Sequence, residues 1–363
     1  MIQVMAKAPL RLGLAGGGTD VDPYCSLFGG EVLSVTIARF VHVRLSLSLA
    51  SSESAVLRFC SSDRATQWEG SWQSLSNLDA LPALRLHAAV LRRMLKMANN
   101  RLSSDLDLLL SKGWHSVNVT VETATDAPMG SGLGTSSTLV VAMLQAWQQA
   151  LRLPWGEYEI ARQAWEIERL DCGLQGGRQD QYAASFGGLI DMQFRPDGVS
   201  IVNPLPVEDA LLHELEASLV LYFTGVSRES AQIIANQSQR VEQGLHEAIE
   251  ATHAVKEQAR RMKRALLASN MSAVSTALAQ GWDAKKRLSG AISNPQIEAT
   301  YEAAMAAGAF AGKVSGAGGG GFMFFICDPM RRPQLMTALE QHGGQAFSCA
   351  FYLKGAEAWR VGQ

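Results

Sequence analysis

No CxxC pair, no run of 18 apolar residues and no marked excess of either charge occurs in this 363-residue chain. Each absence excludes something. The five cysteines, Cys25, Cys60, Cys172, Cys327 and Cys349, are odd in number and far apart. That argues against a disulfide framework and a cysteine zinc site, and fits a reducing, cytoplasmic setting. Without a long apolar run no segment reads as a membrane span, and the opening "MIQVMAKAPLRLGL" meets a proline before any stretch suited to a secretory signal core. Lys plus Arg number 32 against 34 Asp plus Glu, so the net charge of −2 gives no reason to expect nucleic acid or a membrane surface as a general partner. A GxSxG elbow is missing around Ser131, which disfavours an esterase-type hydrolase. The seven histidines are scattered, and His246 and His253, seven apart on an expected helix, read as a solvated face rather than a metal pair.

What is present points to a globular protein of two domains, divided into 1–195 and 196–363 by a Pro- and Gly-containing connection at about Pro196 to Pro206. Phe40 to Ala50 and His115 to Thr123 alternate with period two, as strands do, and Leu81 to Ala98 carries apolar residues at helical spacing. Helices are expected after Thr135, from Glu157 to Leu170, in at least two pieces between Glu229 and Lys286 with a break near Ala268 to Ser272, and from Pro295 to Ala307. Strands are expected at Leu219 to Gly225, Gly321 to Cys327 and in "QAFSCAFYL". Helices mixed with strands able to pair antiparallel indicate α+β architecture.

Three stretches are rich in glycine: "APLRLGLAGGGTD" from Ala8, "PMGSGLGTSSTLV" from Pro128 and "GKVSGAGGGGF" from Gly312. The middle one runs directly into an apolar helix, and a Gly/Ser/Thr loop at a helix start offers unpaired N–H groups and a positive dipole end to phosphate. It lacks the Walker A lysine, and Gly130, Gly132 and Gly134 do not match GxGxxG. Six glycines among the eleven residues from Gly312 to Phe322 are too many for the interior of a helix or strand. Three such loops, far apart in sequence, suggest one site assembled by folding.

In content and order these motifs resemble those of the GHMP small-molecule kinases. The resemblance implies an N-terminal ribosomal-S5-domain-2-like domain, a ferredoxin-like C-terminal domain, and ATP with Mg2+ bound beside a small-molecule acceptor. It implies that Pro128, Gly130, Ser131, Gly132, Leu133, Gly134, Thr135, Ser136 and Ser137 cradle ATP. Ser136, with Thr135 as the alternative, and Glu168, with Glu166 as the alternative, would serve the metal. Asp180 in "GGRQDQ" would be the general base and Arg11 its cationic partner. Gly17, Gly18, Thr19 and Asp20, together with Gly316, Gly318 and Gly319, would face the acceptor.

Within the family, "RLGLAGGGTDVDPY", "IERLDCGLQGGRQDQYAASFGG" and "LYFTGVSRESAQII" look most like the branch that phosphorylates D-glycero-D-manno-heptose 7-phosphate at its anomeric oxygen. Arg178 and Arg228 are then candidates for the acceptor's own phosphate. A fucokinase-like anomeric kinase and a non-catalytic sugar sensor are the alternatives, adenine is expected near Ser51 to Pro82, and a homodimer is left open.

Overall fold

The computed structural model describes residues 1–50, 55–98, 113–128, 130–225 and 230–362. The chain opens with β1 (Ile2–Ala15), then α1 (Tyr24–Phe28), β2 (Gly30–Leu49), β3 (Val56–Ser61), β4 (Thr66–Ser71), α2 (Arg85–Ala98) and β5 (Val117–Thr125). There follow α3 (Thr135–Leu151), α4 (Glu157–Glu166) with a wider π turn over Ile167–Asp171, α5 (Gln179–Phe186), β6 (Leu189–Phe194) and β7 (Ser200–Pro204). The remainder comprises α6 (Asp209–Ser218), β8 (Leu219–Phe223), α7 (Ser230–Glu242), α8 (His246–Leu267), α9 (Met271–Lys286) and α10 (Pro295–Ala306). It ends with β9 (Ala309–Val314), β10 (Phe322–Cys327), α11 (Arg332–Glu340), β11 (Gln345–Ser348) and β12 (Glu357–Arg360).

Eight strands form one sheet, ordered β12-β1-β2-β5-β3-β4 with a β6–β7 hairpin joined to β2. The 20-residue β2 is its rail: Gly30 to Val35 pair with β6, and Val41 to Leu49 pair with β5. Four strands form a second, fully antiparallel sheet ordered β11-β8-β10-β9. β10 reads Phe-Met-Phe-Phe-Ile-Cys and is buried at every position, as expected of a central strand covered on both faces.

Three expectations change. Ala8 to Ala15 are strand rather than loop: Ala8, Leu10, Leu12 and Leu14 alternate along β1, and the turn begins only at Gly16. The expected connection at 196–206 contains β7, which pairs with β6, so the expected boundary at 195/196 falls within a hairpin of the first sheet. "QAFSCAFYL" is strand only to Ser348; the chain then crosses back, Phe351 bridging to Ile37, and β12 pairs with β1. These are long-range pairings, and local pattern does not reveal them. The helix break near Ala268 is present, where Asn270 caps α9 by accepting from Ala273 N–H at 2.9 Å.

Candidate active site

Helix α3 explains the middle glycine stretch. Its N-cap is Gly134 in the left-handed region (φ 78°), with no side-chain cap, so the first-turn N–H groups have no capping acceptor. Thirteen of the helix's residues, Val140 to Leu144 among them, are buried, so the rod is fixed beneath the first sheet with its positive end at a cavity of about 570 Å³. Gly130, Gly132, Gly134, Thr135, Ser136 and Ser137 line that cavity. Ser131 and Leu133 lie fully buried behind it.

The three glycine stretches meet there. Arg11 projects from β1 with 3% of its surface exposed; its Nη1 donates to Gly132 O at 2.7 Å, and Ser315 Oγ donates to the same carbonyl at 2.9 Å. Phe322 N–H donates to Ser131 O at 2.8 Å. A β-carbon on Gly132 would sit 2.5 Å from Ser315 O, and one on Gly316 would sit 2.8 Å from Gly132 Cα. Only glycine lets these two backbones touch.

Asp180, in the first turn of α5, faces Arg11. Arg11 Nε and Nη2 both reach Asp180 Oδ1, at 2.7 and 2.6 Å. This geometry is charge-assisted and directional. Glu168 lies in the π turn, 1% exposed, accepting from Ser136 Oγ at 3.0 Å and from the Gln181 side-chain amide. Glu166 instead faces Arg93 and Arg162, away from the cavity. The Thr135 hydroxyl turns back into its own loop, 3.2 Å from Ser131 Oγ, whereas Ser136 looks at Glu168.

The first glycine turn, of which Gly18 and Asp20 line the cavity, also has a structural part. Asp20 is 1% exposed and borders the cavity, but its carboxylate accepts from the N–H groups of Gly18, Arg178 and Gln179 and from Gln179 Nε2, all at 2.9–3.1 Å. It caps α5 and thereby aims Asp180. Thr19 is fully buried and ties Gly16 O to the β2 backbone at Glu31. Gly17, Gly318 and Gly319 do not line the cavity; a β-carbon on Gly318 would meet Ile292 O at 2.8 Å, whereas one on Gly17 would stand in ordinary contact with Gln179 and Lys285. Arg178 stacks over Trp165, 4.9 Å from the ring centre, and its Nη2 is 3.7 Å from Asp22, so its guanidinium is turned from the cavity. Arg228 lies outside the described residues.

Sequence reasoning missed Arg64, Arg169, Gln179, Gln237 and Lys285, which also line the cavity. Arg169 holds the 174–177 loop through the carbonyls of Leu174, Gln175 and Gly177. Arg64 stands between the main cavity and a small pocket bordered by Ser61, Asp63, Ala83 and Leu139, which falls partly in the stretch expected near adenine. Burial drives the Lys285 ammonium down to about 8, assisted by Arg11 and opposed by Asp20 and Asp180. Lys313 is likewise held well below the usual lysine range by burial, Lys285 and Arg11, and donates to Gly13 O at 2.9 Å, pinning β9 to β1.

The family models for the GHMP kinases N terminal domain and the GHMP kinases C terminal match residues 89–188 and 262–345. The chain is 38% identical over 361 residues to a D-glycero-alpha-D-manno-heptose 7-phosphate kinase of Campylobacter jejuni, covering 99% of this chain and 100% of the relative. It is 26% identical over 353 residues to an L-fucokinase/L-fucose-1-P guanylyltransferase of Bacteroides fragilis, of which it spans 36%. A crystal structure of a D-glycero-D-manno-heptose 1-phosphate kinase from Bacteroides thetaiotaomicron superposes with a TM-score of 0.78 at 35% identity, covering 99% of this chain and 100% of that one. With both family domains matched in order and a relative aligned end to end, the chain belongs to the GHMP kinase family and has its two-domain fold.

Proposed function

We propose that the protein transfers the γ-phosphoryl group of ATP to the anomeric hydroxyl of D-glycero-D-manno-heptose 7-phosphate. The Arg11–Asp180 pair, set against the uncapped helix start that heads the cavity, carries the phosphoryl-transfer reading. Choice of a heptose rests on the end-to-end likeness to the Campylobacter jejuni heptose kinase. The triphosphate lies along Gly130 to Ser137, where backbone donors meet its charge. Asp180 orients the acceptor hydroxyl and takes its proton as the oxygen–phosphorus bond forms and ADP departs. Arg11 holds that carboxylate through two contacts to Oδ1 and places positive charge beside the transferring group.

Glu168 and the Ser136 hydroxyl offer hard oxygen ligands of the kind Mg2+ takes. Among the described residues no group of three or more His, Cys, Asp or Glu side chains could hold a metal, so these two would share the ion with phosphate oxygens. An ion held by Glu168 and Ser136 would neutralise charge on the phosphates during transfer. Glu168→Gln is therefore expected to raise the Mg2+ concentration for half-maximal rate by on the order of 10-fold or more. A Mg2+ titration at saturating ATP reads this; an unchanged midpoint removes Glu168 from the metal.

The deciding experiment incubates the protein with ATP, Mg2+ and a panel of free and phosphorylated sugars, with products resolved by mass. Formation of a heptose bisphosphate from the 7-phosphate supports the assignment. Turnover of L-fucose or of a heptose 1-phosphate in its place reassigns the acceptor, and saturable binding without ADP release indicates a sensor. Among the described residues no helix is long and apolar enough to cross a membrane.

A further inference from the structure

Two of the cavity's side chains, both outside the three glycine stretches, have no part in the transfer described above. Lys285, in the last turn of α9, is 4% exposed, and its Nζ donates to Gly316 O of the third stretch. It would lie 3.7 Å from a β-carbon placed on Gly17 of the first. The charged groups that face it are Arg11 on β1, Lys313 on β9, Asp20 after β1 and Asp180 on α5. An ammonium has three donors, and Gly316 takes one. Asp20 is already satisfied by α5, and Asp180 Oδ1 by Arg11.

Gln237, on α7, is the second. It is 9% exposed, and its Nε2 is buried with no hydrogen-bond partner among the described residues. Its Oε1 would lie 3.7 Å from a β-carbon on Gly18, which puts the amide beside the same glycine turn as Lys285. Both line the main cavity. A buried polar group with no partner is costly unless a ligand completes it; the Gln237 amide is such a group, and the Lys285 ammonium, beside the same glycine turn, has donors beyond the one that Gly316 takes.

We propose that Lys285 and Gln237 form the acceptor-oxygen subsite, the Lys285 ammonium taking the oxygen that receives the phosphoryl group, opposite Asp180, and Gln237 taking a neighbouring hydroxyl. This rests on the kinase reading above and adds which groups hold the sugar. The acceptor proton passes to Asp180, the oxygen's electron pair forms the bond to the γ-phosphorus, the bond from that phosphorus to the β–γ bridging oxygen breaks, and ADP leaves with that pair. Lys285 stays protonated throughout and stabilises the negative charge that develops on the acceptor oxygen, which is an electrostatic role rather than a proton-transfer one. Gly17 and Gly18, by lacking side chains, leave the space in which the sugar reaches both donors.

The test is steady-state kinetics with ATP, Mg2+ and D-glycero-D-manno-heptose 7-phosphate across pH, with binding of a fluorescent ATP analogue as a separate readout. Lys285→Met is expected to lower kcat about 100-fold or more with analogue affinity unchanged, the scale of removing one preorganised transition-state donor. In the wild type the active, protonated lysine is lost as pH rises through about 8, giving an alkaline fall in rate. Lys285→Arg, which stays charged, restores part of the rate and moves that fall to higher pH. Gln237→Leu is expected to raise KM for the sugar about 10-fold with kcat retained, the loss of one hydrogen bond to a buried donor. Wild-type kcat in Lys285→Met, or an unmoved alkaline limb in Lys285→Arg, overturns the proposal while leaving the kinase reading intact. A wild-type protein that phosphorylates no sugar overturns both.

Discussion

Asp180→Asn lowers kcat by about 10²- to 10⁴-fold, the range of a lost general base, while binding of ATP in the absence of sugar stays near the wild-type value. The expectation comes from how the carboxylate is held. Both guanidinium contacts from Arg11 go to Oδ1, which leaves Oδ2 for the acceptor proton. Asparagine preserves volume and can still accept from Arg11 Nε, so the loop and helix positions should survive. It cannot take a proton, and it removes the charge that balances a nearly buried guanidinium. Arg11 remains anchored by Gly132 O and Ser315 Oγ, which predicts that the loss is confined to the chemical step. Single-turnover quench kinetics separate that step from product release. A variant with near-normal single-turnover rate would show that proton transfer is handled elsewhere.

The sequence exposed this arrangement unevenly, and the reasons are physical. Glycine density marked the three turns because positive φ and backbone contact have few other solutions, as at Gly132 and Gly316. The long helix after Thr135 was legible from composition, whereas Asp180 was named as the base through the family resemblance. Asp20 was likewise expected at the acceptor through the resemblance; only the fold shows that it also accepts from four donors of its own turn and the start of α5. Lys285 and Gln237 sit on helices whose pattern is ordinary, and nothing local distinguishes a lysine aimed inward from one on a solvated face. The return of β12 to β1 was hidden for a related reason: pairing partners more than 340 residues apart leave no trace in short-range periodicity.

Gly134→Val should damage nucleotide binding and chemistry together, which sets it apart from the aspartate variant. At φ 78° a β-branched residue is strained by roughly 1–2 kcal/mol or more, and relief requires the first turn of α3 to rotate. That rotation displaces the N–H groups at the head of the phosphate cradle. A new β-carbon would also stand 3.1 Å from Asp180 Cγ and 3.3 Å from its Oδ2, pushing the carboxylate off its Arg11 contact. We expect at least about a 10-fold rise in the nucleotide Kd, the equivalent of that strain, multiplied by a fall in kcat from the displaced carboxylate. Gly134→Ala, with a smaller side chain at the same φ, should fall between wild type and valine in both. Equilibrium binding and steady-state rates on the three proteins report the two effects separately. If valine leaves nucleotide affinity untouched, the head of α3 is not where the triphosphate rests; if it leaves kcat untouched, Asp180 tolerates a shift that a general base should not.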